Sequence, residues 1–351
     1  MFSKCTSKLA MLSDSNEDKL LFAVSLIRHG DRAPFARLDG ITVDDYWPNG
    51  IGELTPEGMH QEYQLGKKLR NRYIETYQLL SSEYKQNSIY ALSTPFTRTI
   101  MSAHCCLTGL YPHGSGCRLR NGAFALPDGY QPIPVFTIGA GEKNIINPES
   151  SGIDHFRRLI NEESMNQRSW IDKGKELEDD FKKWSEILGI EINSIYDMML
   201  PGDTIFCMSQ NGLPMPDGLT KEDVEKIIEI YLYICVTRIS PEAFKNFMAE
   251  GFISKLNTDF QHVAQGKQKY KYLLYSGHDI SIVAMMNALG CAPDQNPPYA
   301  SHLDFELYKK NLDFIVRIFY NGDAVEFPKG SGKSSYPLSE FQEFISPFVQ
   351  K

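Results

Sequence analysis

Residues Leu20 to Ile27 form an apolar run broken only by Ser25, and Arg28-His29-Gly30-Asp31-Arg32-Ala33-Pro34 follow it directly. A run of this length without polar alternation reads as a strand buried on both faces, as in a parallel sheet covered by helices. The layout recurs twice. Ser88 to Ser93 leads into Thr94-Pro95-Phe96-Thr97-Arg98-Thr99, where Pro95 stops the strand and Arg98 falls near the start of a helix. Tyr272 to Gly277 delivers His278-Asp279 ahead of the helix-like stretch Ile280 to Leu289. Open α/β sheets bind ligands beyond the carboxyl ends of their parallel strands, so segments distant in sequence meet in one crevice. The expected fold is therefore α/β, with a mixed, mainly parallel sheet sandwiched by helices, and the expected crevice holds Arg28, His29, Arg32, Arg98, His278 and Asp279.

Guanidiniums are planar, permanently charged donors that match phosphoryl oxygens. Two of them flanking one imidazole crowd like charge unless an anion belongs between them. Taken singly, each segment has a plain structural reading: a solvated basic turn for Arg28 to Arg32, or an acid near a positive helix N-terminus for Asp279, a placement worth about 0.3–1 kcal/mol. Three segments with their polar groups at the same strand end point instead to a site. Phe35, just past the first segment, is a candidate for the pocket mouth.

Arg28 to Pro34, Ser93 to Thr99 and the pair His278-Asp279 resemble, in order, the three motifs of the histidine acid phosphatases, the RHGxRxP branch of the phosphoglycerate-mutase-like superfamily, which includes secreted bacterial acid phosphatases. The resemblance implies a metal-independent phosphomonoesterase without a cofactor. In it His29 attacks phosphorus to give a covalent phosphohistidine, Arg28, Arg32, Arg98 and His278 bind the phosphoryl group, and Asp279 protonates the leaving alkoxide and then activates water. The nearby cations disfavour imidazolium, which helps keep His29 nucleophilic in acid. A small phosphomonoester is the implied substrate and inorganic phosphate the product. Ile280-Ser281 stand where phytases of this family continue His-Asp-Thr-Asn, which weakens a phytate-specific reading. The competing readings are a phosphoryl-transferring mutase, opposed by Arg32 and the His278-Asp279 pair, and a dead phosphate-binding protein, opposed by the complete catalytic set.

At 351 residues the chain is long enough for one large α/β domain or a domain with an insertion. Gly and Pro are frequent from Cys117 to Pro148, and polar helical stretches follow around 153–160, 176–188 and 219–236. This predicts a core over 1–117 and 235–351, with a helical cap inserted at 118–234. Thr55-Pro56-Glu57 opens a helix, with Thr as N-cap and Pro in its first position. Strands at 304–308 and 314–319 precede the hairpin turn Asn321-Gly322. With 36 Lys+Arg against 44 Asp+Glu the net charge is −8, which argues against nucleic acid as a partner. No stretch reads as a membrane span, and Met1 to Leu12 is too short in its apolar part for a complete signal peptide, so a periplasmic or secreted location is implied by the resemblance alone. Seven cysteines (Cys5, Cys105, Cys106, Cys117, Cys207, Cys235 and Cys291) dictate no disulfide pairing, and neither do they set an oligomeric state. His60, His104, His113, His155, His262 and His302 lack zinc-ligand spacing.

Overall fold

The computed structural model describes residues 18–139 and 142–349. Its strands are β1 (Asp18–Arg28), β2 (Ile89–Ser93), β3 (Val135–Thr137), β4 (Tyr272–Gly277), β5 (His302–Lys310), β6 (Asp313–Tyr320), β7 (Asp323–Ala324) and β8 (Ser335–Pro337). They form one mixed sheet in the order β3-β2-β4-β1-β5-β6-β7, with β8 beside β6. Pairing is parallel from β3 to β1 and antiparallel from β1 onward. The parallel pairing expected to predominate thus occupies one half of the sheet. The other half is set by tight turns: Asn311, and Asn321 with Gly322, adopt positive φ, which suits two-residue hairpin loops that return the chain antiparallel.

The helices are α1 (Pro56–Arg70), α2 (Thr97–Leu110), α3 (Pro148–Ser151), α4 (Ile153–Leu159), α5 (Arg168–Glu176), α6 (Glu178–Leu188), α7 (Met199–Gln210), α8 (Lys221–Thr237), α9 (Glu242–Ala264), α10 (Asp279–Ala288) and α11 (Leu338–Ile345). Thr55 caps α1 as its sequence predicts, its Oγ1 accepting from the Gly58 N–H at 3.1 Å. On one face of the sheet, Leu65, Leu69 and Tyr73 join Cys106 and Leu107 against Ala23, Ile27 and Leu274. On the other face, Phe252 and Phe260 of α9 and Val283 of α10 pack on Phe22, Leu26 and Phe305. β1 and β4 lie between these layers, which is why β1 from Leu20 to Ile27 is apolar but for Ser25 and every residue of β4 is buried.

A separate apolar cluster holds Trp170, Phe181, Trp184, Ile205, Ile227 and Ile230 from α5 to α8, and it takes in Ala33, Ile41 and Trp47 from the loop after β1. The helices of the middle segment therefore sit directly on the Arg28–Pro34 loop. β3 lies within 118–234 yet pairs with β2 in the main sheet. Cys105, Cys106, Cys117, Cys207, Cys235 and Cys291 are free thiols. Cys5, the stretch Met1 to Leu12, and Ala140 and Gly141 lie outside the described residues. Among the described residues no helix is long and apolar enough to cross a membrane.

Candidate active site

Strand register explains how the three segments meet. Arg28 is the partner of Gly277 across β1 and β4, and Ser93 is the partner of Ser276 across β2 and β4. The residues that follow, His29, His278 and Thr94, consequently leave the sheet side by side at its carboxyl edge. The His29 and His278 rings lie 5.5 Å apart, centroid to centroid, and Thr94 Oγ1 is 3.1 Å from His278 Nε2. Arg98 enters from the first turn of α2, and Asp279 opens α10. The loop after β1 can approach α1 this closely because both contact points are glycine: a Cβ on Gly30 would lie 2.3 Å from the Gly58 carbonyl oxygen, and one on Gly58 would lie 2.1 Å from that of Asp31. The Asp31 carboxylate fastens the same loop, accepting from Thr55 Oγ1 at 2.5 Å and from Asn211 Nδ2 at 3.1 Å.

His29 Nδ1 lies 2.8 Å from the Gly30 carbonyl oxygen. A carbonyl only accepts, so the neutral ring carries its proton on Nδ1 and keeps the Nε2 lone pair free. Burial pushes this imidazole well below its ordinary value of 6.5, and the Arg98, Arg32 and Arg28 charges push it the same way. Burial and Arg98 do likewise to His278. The ring of His29 thus stays neutral at pH values where a free imidazole is already charged.

Arg28 and Arg32 are buried, Arg98 is half-buried, and the three are differently held. Arg28 donates from Nη1 to the Pro297 carbonyl, places Nη2 3.3 Å from Asp279 Oδ2, and stacks its guanidinium 4.3 Å from the centre of the Tyr299 ring. Arg32 forms a fork with Asp203, from Nη2 to Oδ1 at 2.7 Å and from Nη1 to Oδ2 at 3.1 Å. Asp203 also accepts from the Phe35 N–H at 2.9 Å and the Tyr231 hydroxyl at 2.8 Å. Arg98 is lowered to about 10 by burial and by Arg32, and stays charged at neutral pH. Arg28 Nε and Nη2, Arg32 Nε and Arg98 Nε are buried donors without a hydrogen-bond partner. These donors can engage the oxygens of an anion bound at the site.

Asp279 feels opposing influences. Burial favours its neutral form, but the charges of Arg28, Arg238 and Arg32 and the 2.7 Å hydrogen bond from the Ile280 N–H outweigh it and hold the carboxyl well below the usual carboxylate range. These groups open on a cavity of about 410 Å³. Phe35, 39% exposed, lies on its wall with its ring centre 5.3 Å from the Arg32 guanidinium carbon. The far wall includes Asn147, Glu149, Met199 and Tyr231 from the middle segment, and Arg238 just beyond its end.

All seven site residues singled out in the sequence, Arg28, His29, Arg32, Phe35, Arg98, His278 and Asp279, are therefore brought to one place. Sequence reasoning missed Asp203, Tyr299 and Arg238. Asp203 did leave a trace, as the only charged residue from Met198 to Pro216, and a charge in such a stretch needs a partner once buried. Among the described residues no group of three or more His, Cys, Asp and Glu side chains has the arrangement to hold a metal ion.

A family model described as the histidine phosphatase superfamily (branch 2) matches residues 19–321. Lysosomal acid phosphatase of Bos taurus is 29% identical over 350 residues, covering 95% of this chain and 78% of the bovine one. Testicular acid phosphatase of Homo sapiens is 27% identical, covering 94% and 80%. Among solved structures, the phytase from Citrobacter braakii superposes with a TM-score of 0.67 at 15% identity, covering 95% of this chain and 98% of its own. Hafnia alvei phytase in complex with myo-inositol hexakis sulphate gives 0.68 at 16% identity, covering 96% and 98%. At these identities the phytases speak for the fold.

Proposed function

The chain belongs to branch 2 of the histidine phosphatase superfamily and is a phosphomonoester hydrolase, and from that premise we propose that it works through a phosphohistidine on His29. The observation that carries this reading is the convergence of a ring held neutral, with Nε2 free, on three guanidiniums that each have a buried, unpartnered donor. The Nε2 lone pair attacks phosphorus, the P–O ester bond breaks, and the leaving oxygen takes the proton of Asp279. Water then attacks phosphorus, the P–N bond breaks, and Asp279 recovers a proton from that water, which restores a neutral His29 and releases phosphate. Arg28, Arg32, Arg98 and the His278 donor stabilise charge on the equatorial oxygens, work that metal ions perform in many other phosphoryl-transfer sites.

Asp279 becomes an acid only with substrate present. In the free site the arginine charges keep it ionised; a bound dianion offsets those charges, and burial then favours the protonated carboxyl. Proton uptake on binding favours turnover in acid. The mutase and dead-site readings are not favoured, since the relatives are acid phosphatases and the full set of reacting groups is present. We assign the segment 118–234, apart from β3, the role of a cap that faces the alcohol part of the substrate. With a lysosomal enzyme among the relatives, we place the protein in an acidic lumen or outside the cell.

The test is release of phosphate from an aryl phosphate at mildly acidic pH with a chelator present. Full turnover under chelator, abolished by His29→Ala in a folded protein, is expected; loss under chelator or an active His29→Ala would overturn the proposal.

A further inference from the structure

The cavity continues past Asp279 to a wall the phosphoryl chemistry does not use. Arg238 follows the last turn of α8, and its carbonyl accepts from Ser164 Oγ at 2.6 Å, which fixes the backbone there. Its guanidinium has no salt-bridge partner among the described residues, and its Nε is buried without a hydrogen-bond acceptor. Beside it on the same wall lie the Glu149 carboxylate, also without an ion-pair partner among the described residues, and Asn147, whose Oδ1 is buried without a donor. This wall thus offers one planar cationic donor and two acceptors beside the proton donor.

Charge decides what this combination fits. Arg32, Arg98, Arg238, Glu149 and Asp279 line the cavity, and with Arg28 paired to Asp279 and Asp203 paired to Arg32 the site holds four guanidiniums and three carboxylates. Once Asp279 is protonated, two excess positive charges remain, and a single phosphoryl dianion neutralises them. A second dianion on the alcohol part would be uncompensated and would face Glu149. A hydroxyl suits the wall better, because it donates to a carboxylate or amide oxygen while accepting from a guanidinium, and adjacent hydroxyls can engage Arg238 and Glu149 together.

We propose that Asn147, Glu149 and Arg238 form a hydroxyl-reading subsite, so that the preferred substrates are monophosphates of polyhydroxylated alcohols, such as sugar or cyclitol monophosphates, and not esters carrying further phosphates. The subsite rests on the phosphohydrolase reading above. It determines specificity by satisfying buried polar atoms: a substrate with hydroxyls pairs Arg238 Nε and Asn147 Oδ1, and an alkyl substrate leaves both unmade.

The experiment compares kcat/KM for hexose 6-phosphate, n-hexyl phosphate and hexose 1,6-bisphosphate, all primary alkyl esters at the scissile end, in the full chain and in Glu149→Gln, Arg238→Met and Arg238→Lys. The hexose monophosphate is expected to exceed n-hexyl phosphate at least tenfold in the unaltered protein and to exceed the bisphosphate as well. In Glu149→Gln and Arg238→Met the hexose-to-hexyl ratio is expected to fall at least fivefold, with Arg238→Lys between. A ratio near one in the unaltered protein, a preference for the bisphosphate, or ratios unmoved by both Glu149→Gln and Arg238→Met would overturn the subsite. Failure of the underlying reading looks different: no substrate of the three is hydrolysed, and p-nitrophenyl phosphate forms no phosphoenzyme.

Discussion

Replacing Asp203 by Asn keeps its shape and removes its charge, which leaves Arg32 buried beside Arg98 and His29 without its counter-ion. The carboxylate accepts four hydrogen bonds, two from Arg32, one from the Phe35 N–H and one from the Tyr231 hydroxyl, and both members of the ion pair are almost wholly buried. Breaking a buried pair by removing one partner costs about 3–5 kcal/mol, because the remaining charge is uncompensated. The ligand should partly reverse this loss. A phosphate dianion supplies the missing negative charge, so it should bind the variant more tightly; about tenfold tighter binding adds about 1.4 kcal/mol of stabilisation at saturation. Urea unfolding of Asp203→Asn and the unaltered chain, each without phosphate and with saturating phosphate, measures both quantities. A loss below about 1 kcal/mol, or phosphate stabilising the variant no more than the parent, would refute the role of Asp203 as counter-ion to Arg32.

Three further outcomes follow from the site. His29 and His278 are held neutral below their ordinary value of 6.5, whereas the unfolded chain protonates there, so each lowers stability as pH falls below 6.5; His29→Asn should flatten the stability-against-pH slope of the ligand-free protein by up to about 1.4 kcal/mol per pH unit, and an unchanged slope would contradict the neutral ring. Asp279→Asn should slow single-turnover phosphoenzyme formation far more for alkyl than for nitrophenyl phosphate, since only the alkoxide needs a proton to leave; equal slowing would assign Asp279 to positioning. Gly30→Ala places a methyl group 2.3 Å from the Gly58 carbonyl oxygen, so it should destabilise the protein by about 1–3 kcal/mol or more and reduce turnover, and normal stability would contradict the close approach of the loop to α1.

The half of the sheet that carries the site was legible because β1, β2 and β4 are short apolar runs with reactive groups directly at their ends, and parallel register leaves those groups adjacent. The Thr55-Pro56 helix start and the Asn321-Gly322 turn were legible from local backbone chemistry. α9 was not, because it lies between the sheet and the middle segment and buries residues around most of its circumference, from Phe244, Met248 and Phe252 to Asn257 and Asp259, which erases the one-sided stripe by which a surface helix is recognised. Arg28 is held in part by the Pro297 carbonyl and the Tyr299 ring, contacts made by a loop whose placement no local pattern announces. Arg238 is likewise one cation after a helix end in sequence, and only folding brings it beside Glu149 and Asp279 on the cavity wall.

The central claim is that phosphorus becomes bonded to His29. Acid or alkaline quenching of the enzyme during turnover of a ³²P-labelled phosphomonoester, followed by peptide mapping, tests it directly. The account predicts label that is lost in acid, stable in base and confined to the peptide containing His29, as a phosphoramidate behaves. Label on a serine, threonine or aspartate, or full turnover by His29→Ala, would contradict it.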